Sequence, residues 1–244
     1  MTNGQQKSTK STKQPKPPQA DDPVKAAADV KRVTAPAPWT RPLTPEELAA
    51  NGELFKRRLL SLERPGTEEL LAWLCTTDFF RAPLQPTNHG VFMGALCAHS
   101  LTVADVAVDL AKRWRPTIDP RSMELVGLLH DLWKADAFHP VKRRQRRPNN
   151  TWVSVLSFEY RVDSPQLGHG EKSALYAQRF IDLTNDELLA IRWSAGAFDD
   201  AAYTYAGRAQ LSNALNQCPT LALLTAAVTL TTNLVAVPTP DVIC

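Results

Sequence analysis

Cysteine is scarce in this chain: four of 244 residues, at positions 75, 97, 218 and 244, and no two form a C-x-x-C pair. That scarcity argues against a secreted disulfide framework. No apolar leader core follows the first residues, so the expected setting is reducing and cytoplasmic. Long hydrophobic runs are missing too. The best candidate, Leu221 to Val237, is threaded with Thr and Asn and falls short of the ~20 residues that span a bilayer, and no membrane span is expected. Nor is there an excess of one charge: 28 Lys and Arg against 25 Asp and Glu leave +3, too little to mark a nucleic-acid binder by composition. What the chain does have is 43% hydrophobic residues, ample for a core.

Residues 1–40 are rich in Lys, Gln, Ser, Thr and Pro and nearly free of large apolar side chains. Such a stretch cannot offset its ordering entropy and is expected to be a disordered basic arm. From Thr44 the pattern turns helical. Thr44-Pro45-Glu46-Glu47 predicts an N-cap with proline at the first helical position, for a helix running to about Ser61. Thr67 introduces a second helix, and apolar periodicity predicts others over 94–113, 122–134, 172–183, 185–196, 206–217 and 220–235. The exception is 135–168, too long for an ordinary helix connection, where alternation over Trp152 to Val162 suggests a short hairpin. The expected architecture is all-α: a helical bundle over 41–237 carrying this loop or hairpin insertion, then a short tail over 238–244.

The insertion contains Lys142, Arg143, Arg144, Arg146 and Arg147, five cations in six positions. Two readings stand side by side: a solvated loop tip, or an electrostatic rim in which Arg143 and Arg144 draw a phosphate-bearing substrate or a nucleic-acid strand. Trp133, Trp152, Tyr160 and Trp193 are expected in helical or hairpin core rather than stacked on a base, and the cysteines as small core residues. His139, before Pro140, reads as an exposed turn residue.

Chemistry concentrates in the histidines. His99 lies three after Leu96 and four before Val103, and His130 shares a helical side with Val126, Leu129 and Trp133, so both imidazoles are expected to face inward. Imidazole and carboxylate together suit a divalent ion. The adjacent His130 and Asp131 diverge by about 100° on a helix, so they reach one centre only near its end.

Five stretches in order, APLQPTNHG (82–90), GALCAHSLTV (94–103), LLHDLWK (128–134), LGHGEKS (167–173) and AIRWSAGAFD (190–199), resemble the HD-domain superfamily of metal-dependent phosphohydrolases, in a bacterial and phage branch. The resemblance implies an HD-domain helical bundle. It also implies one divalent ion (Mn, Fe, Ni, Co, Zn or Mg) bound by His99, His130 and Asp131, with Lys134 as the phosphate-binding cation. His169 would serve a second ion or act as an acid or base, and His89 would line the pocket. Such an ion polarises a phosphoryl oxygen and acidifies water toward neutral pH.

Two positions depart from the family pattern. Ser194 stands where the family has a histidine after Arg-Trp, and the closing aspartate of the last helix aligns with Asn233, a neutral oxygen ligand at best. Asp199 has two readings, contact with the site or capping of a helix end. The function expected is hydrolysis of a phosphate ester or anhydride, such as a nucleotide, by an enzyme with an impaired metal site. The alternative is a catalytically degenerate relative that senses nucleotides or binds a protein. A nucleic-acid accessory role through the arm and the 142–147 cations is a third.

Overall fold

Side chains that cap helix ends set where the elements begin. In the computed structural model, which describes Met1 and residues 41–86, 90–162 and 167–235, Thr44 Oγ1 accepts from the Glu47 amide at 3.2 Å. The Glu47 carboxylate in turn accepts from the Thr44 amide at 2.9 Å, opening α1 (Pro45–Ser61). The arm expected over 1–40, the tail over 238–244 and His89 lie outside the described residues. α2 (Thr67–Thr76) starts after Gly66, whose φ of +87° and close approach to the Phe180 carbonyl exclude a side chain. Next come α3 (Ala95–Trp114) and α4 (Pro120–Leu129), then a 3₁₀ turn (Leu132–Lys134) and the strands β1 (Phe138–Arg146) and β2 (Trp152–Tyr160). α5 (His169–Gln178), α6 (Asn185–Arg192), α7 (Tyr205–Gln217) and α8 (Pro219–Leu230) complete the order, with short 3₁₀ turns at Gly196–Phe198 and Asp200–Tyr203. The described residues are therefore mostly helical, with eight α-helices and one two-stranded antiparallel sheet. No helix among them is long and apolar enough to cross a membrane.

α3 is the axle. Every residue from Ala95 to Ala104 is buried, so this helix has no solvent face along its first half, and α1, α4 and α8 pack around it. The tightest crossing is with α4. A Cβ at Gly127 would lie 2.5 Å from the Ala104 Cα, so the two backbones touch where a glycine meets an alanine. Arg58 of α1 ties the same pair from outside, donating to Asp105 of α3 at 2.6 Å and Glu124 of α4 at 2.8 Å. Buried Phe55, Phe79, Leu59, Leu70 and Leu74 fill the core beside them, each contributing roughly 1.5–3 kcal/mol by leaving water.

The helix expected over 122–134 starts two residues earlier and stops at Leu129, and Asp131 leaves helical geometry at φ −113°, ψ 24° before the 3₁₀ turn. The helix expected over 172–183 begins three residues earlier, because the Glu171 carboxylate reaches back to the Gly168 amide at 2.8 Å and caps it. The last helix ends at Leu230 and continues as a π turn, Thr231–Val235. Cys97 and Cys218 are buried as expected, but Cys75 is exposed.

The insertion is a longer hairpin than its alternation suggested, with nine-residue strands in register from Phe138↔Tyr160 to Arg146↔Trp152. Four of the five cations lie in β1, not at a loop tip; only Arg147 reaches the turn, where Asn150 adopts φ +68°. Phe138 and Phe158 bury the hairpin base against Trp133 and Ala137. Trp133 and Trp193 are core residues, whereas Trp152 and Tyr160 are 57% and 54% exposed, contrary to the core role expected for them. The reason is geometric: a two-stranded sheet extending from the body has nothing to cover its outer half.

Gly127→Ala should lower the stability of the chain by about 1–3 kcal/mol in urea denaturation, because the added methyl forces α3 and α4 apart. An unchanged midpoint would mean that the crossing is not as tight as described.

Candidate metal centre

The α3–α4 crossing brings His99, five residues before Ala104, opposite His130, three residues after Gly127. Their rings lie 5.3 Å apart between centroids, both 2% exposed. His130 Nδ1 sits 2.8 Å from the Gly127 carbonyl. A carbonyl only accepts, so Nδ1 carries a proton, and in the neutral ring Nε2 is the nitrogen left with a lone pair. That Nε2 is buried, lies 3.4 Å from Asp131 Oδ2, and has no hydrogen-bond partner among the described residues. His99 Nε2 lies 3.9 Å from the same oxygen. One ligand atom from each of His99, His130 and Asp131 falls within 4.8 Å of the others. Tetrahedral donors about 2.1 Å from an ion stand about 3.4 Å apart, so the set is close to binding geometry and slightly open.

The chemistry of the donor set fits a divalent ion: two buried imidazoles, one carboxylate, and on His130 a buried ring nitrogen with no hydrogen-bond partner among the described residues. These three residues could hold a metal ion.

Asp131 is held on both oxygens. Trp133 Nε1 donates to Oδ1 at 3.1 Å and Lys134 Nζ to Oδ2 at 2.7 Å. Burial alone would raise this carboxyl, but the Lys134 ammonium, with His130 and His99 beside it, overrides that and keeps it well below the usual carboxylate range. Burial pushes His99 well below the usual imidazole value, His130 and Lys134 push the same way, and Asp131 opposes them. His99 is thus neutral, the form that binds a cation.

The group lines a cavity of about 270 Å³ whose wall also includes Lys134, His169, Ser194 and Phe198. His169, the first residue of α5, lies flat on the Trp133 indole with 3.7 Å between centroids and 2° between planes. Burial and the nearby Lys134 charge lower its pKa. The backbone of Trp133 also donates to Ser173 Oγ at 3.1 Å, which joins the 3₁₀ turn to α5.

Other expected site residues fall elsewhere. Asn233 is exposed and its amide donates to the Thr229 carbonyl at 2.9 Å. It continues the solvent stripe of Ala222, Ala226 and Thr229 and does not line the cavity, whereas Val228 and Thr232 of the same segment do. Arg143 and Arg144 are exposed on β1 and do not line the cavity: Arg143 pairs with Glu159 at 3.0 Å, and Arg144 sits over the Trp152 ring at 5.7 Å. His139 is exposed, on β1 rather than in a turn. Asp199 is a capping residue, accepting from the Ala201 amide and from Arg192, both at 2.9 Å. Arg192 also meets Glu171 at 2.7 Å, so the 167–173 and 190–199 stretches are locked together.

Sequence reasoning did not identify Trp133 as the clamp of both Asp131 and His169. Its neighbourhood to Asp131 was the available signal. Leu84, Gln85, Val228 and Thr232 line the cavity with no local pattern to announce them.

No protein-family model matches the chain, and neither does any curated protein or solved structure compared with it.

A buried neutral imidazole makes stability depend on pH with a definite sign. The unfolded chain protonates His99 below its usual value of 6.5 while the folded chain resists, so stability falls as pH drops below that value. Lowering the pH from about 7 to about 5 in metal-free buffer should lower the urea midpoint, and His99→Gln should flatten this dependence, by up to about 1.4 kcal/mol per pH unit. Equal slopes for both proteins would refute the neutral assignment.

Proposed function

We propose that this chain is an HD-domain-like, metal-dependent phosphohydrolase acting on a phosphate ester or anhydride, with nucleotides as the substrate class. The observation that carries the reading is the convergence of His99, His130 and Asp131, from α3 and the end of α4, on one wall of a cavity that Lys134 and His169 share. Support comes also from the ordered motif stretches and from a mostly helical architecture.

A divalent ion at this group would polarise a phosphoryl oxygen and acidify water at neutral pH. The chain's own residues do the rest. Trp133 and Gly127 hold the Asp131 carboxylate and the His130 ring in place, so the ligands need little reorganisation. Lys134, now on Asp131 Oδ2, is the cation that an incoming phosphate would take over, neutralising charge on its equatorial oxygens. His169, neutral and kept from turning by the Trp133 stack, can accept or return a proton at the rim.

A second reading has its own support: Ser194, 5% exposed, lines the cavity where an imidazole is expected, and no carboxylate of the last helix faces it. A chain with so few donors would bind its ion weakly and serve as a nucleotide sensor or protein partner.

Calorimetric titration with Mn²⁺ and phosphate release from a nucleotide panel test both readings. Wild type should bind one ion and release phosphate, and His130→Ala and Asp131→Ala should each lose at least about tenfold in metal affinity. Identical phosphate background in all three proteins would end the hydrolase reading, and nucleotide binding without turnover would favour the second. Because Thr232 lines the cavity and Asn233 does not, Thr232→Asp should tighten Mn²⁺ binding while Asn233→Asp leaves it unchanged. The reverse outcome would overturn the register of the last helix.

A further inference from the structure

We infer that one face of the β1–β2 hairpin binds a single strand of nucleic acid and aligns it with the cavity mouth. The inference deepens the phosphohydrolase reading by making its substrate a polymer, and rests on that reading only for what happens inside the cavity.

Alternation sorts the hairpin side chains. Lys142, Arg144 and Arg146 share a face with their cross-strand partners Leu156, Ser154 and Trp152, spaced about 6.8 Å apart along each strand. No carboxylate lies on that face of either strand. The one acid of the two strands, Glu159, is on the opposite face, where Arg143 pairs with it. The near-neutral composition therefore conceals a local segregation of charge. On the cationic face, Trp152 and Leu156 are at least half exposed, an arrangement that burial does not explain. Cations interleaved with half-exposed aromatic side chains are the chemistry that holds unpaired bases and their phosphates.

The same face continues to the site. Tyr160, at its inner end, lies nearly parallel to Trp133 at 6.4 Å, and Trp133 in turn stacks with His169 at the cavity. Beside this path the face overhangs a groove of about 510 Å³ where Arg81 adds a cation. The two acids of the groove, Asp78 and Asp136, each accept the other's backbone amide.

Fluorescence anisotropy of a labelled oligothymidylate with the full chain, in chelator and at several salt concentrations, tests this. Combined Lys142→Ala, Arg144→Ala and Arg146→Ala should weaken binding at least about tenfold and reduce the slope of log affinity against log salt by about two, at about 0.7 per lost phosphate contact. Trp152→Ala should cost about tenfold with the slope unchanged. Arg143→Ala, on the paired face, should change affinity less than about twofold. His130→Ala should bind as wild type does, so the result stands apart from any failure of hydrolysis. No binding, an unaltered slope in the triple variant, or preference for a duplex or for phosphatidylserine vesicles overturns the inference.

Discussion

Asp131 carries a negative charge into the wall of a cavity, and the site is organised around compensating it. Lys134 supplies a cation at 2.7 Å, Trp133 an N–H at 3.1 Å, and two imidazoles stand within 4 Å of the same oxygen. Without these partners a buried carboxylate would take up a proton rather than stay charged. The same arrangement explains why Trp133 is central. It fixes Asp131 by its indole N–H, His169 by its ring face, and α5 by its backbone amide.

The imidazoles depend on a different constraint, the contact of two backbones. Gly127 lets α4 approach Ala104 of α3, and its carbonyl then orients the His130 ring, so one glycine sets both the separation of the histidines and the tautomer of one. His130 Nε2 is buried without a hydrogen-bond partner among the described residues, a cost that a bound ion would relieve. The cavity wall beyond these groups is poorer in donors: Ser194 has a short side chain, and the solvent stripe of the last helix takes Asn233 outward. These features pull in opposite directions, toward a binding centre and toward a weak one.

Much of this was legible before any coordinates. The capping box at Thr44 marked a helix start to the residue, since the capping contacts are local. The inward placement of His99 and His130 followed from periodicity, and the break at the His-Asp pair from the angle between adjacent helical residues. Whether Thr232 or Asn233 lines the cavity was not legible, because one residue of register turns a helical side chain by about 100° and no neighbouring motif anchored the alignment. The basic run was legible as charge but not as strand, because Lys and Arg carry little strand preference and the pairing partners lay six to fourteen residues downstream. Arg192 illustrates another limit: its motif reads as part of a site, while its contacts with Glu171 and Asp199 are those of a brace.

By itself the sequence determined the helical class, the element order, the inward histidines and the chemistry they can offer, because periodicity and caps act over a few residues. Only the tertiary structure decided which groups meet: that Lys134 rests on Asp131, that Trp133 holds His169, that Thr232 rather than Asn233 lines the cavity, and that the cations share a face with exposed aromatic rings. Those outcomes depend on how separate elements pack and on which way each backbone turns at its end, and no local pattern in the chain encodes a distance between residues far apart in it.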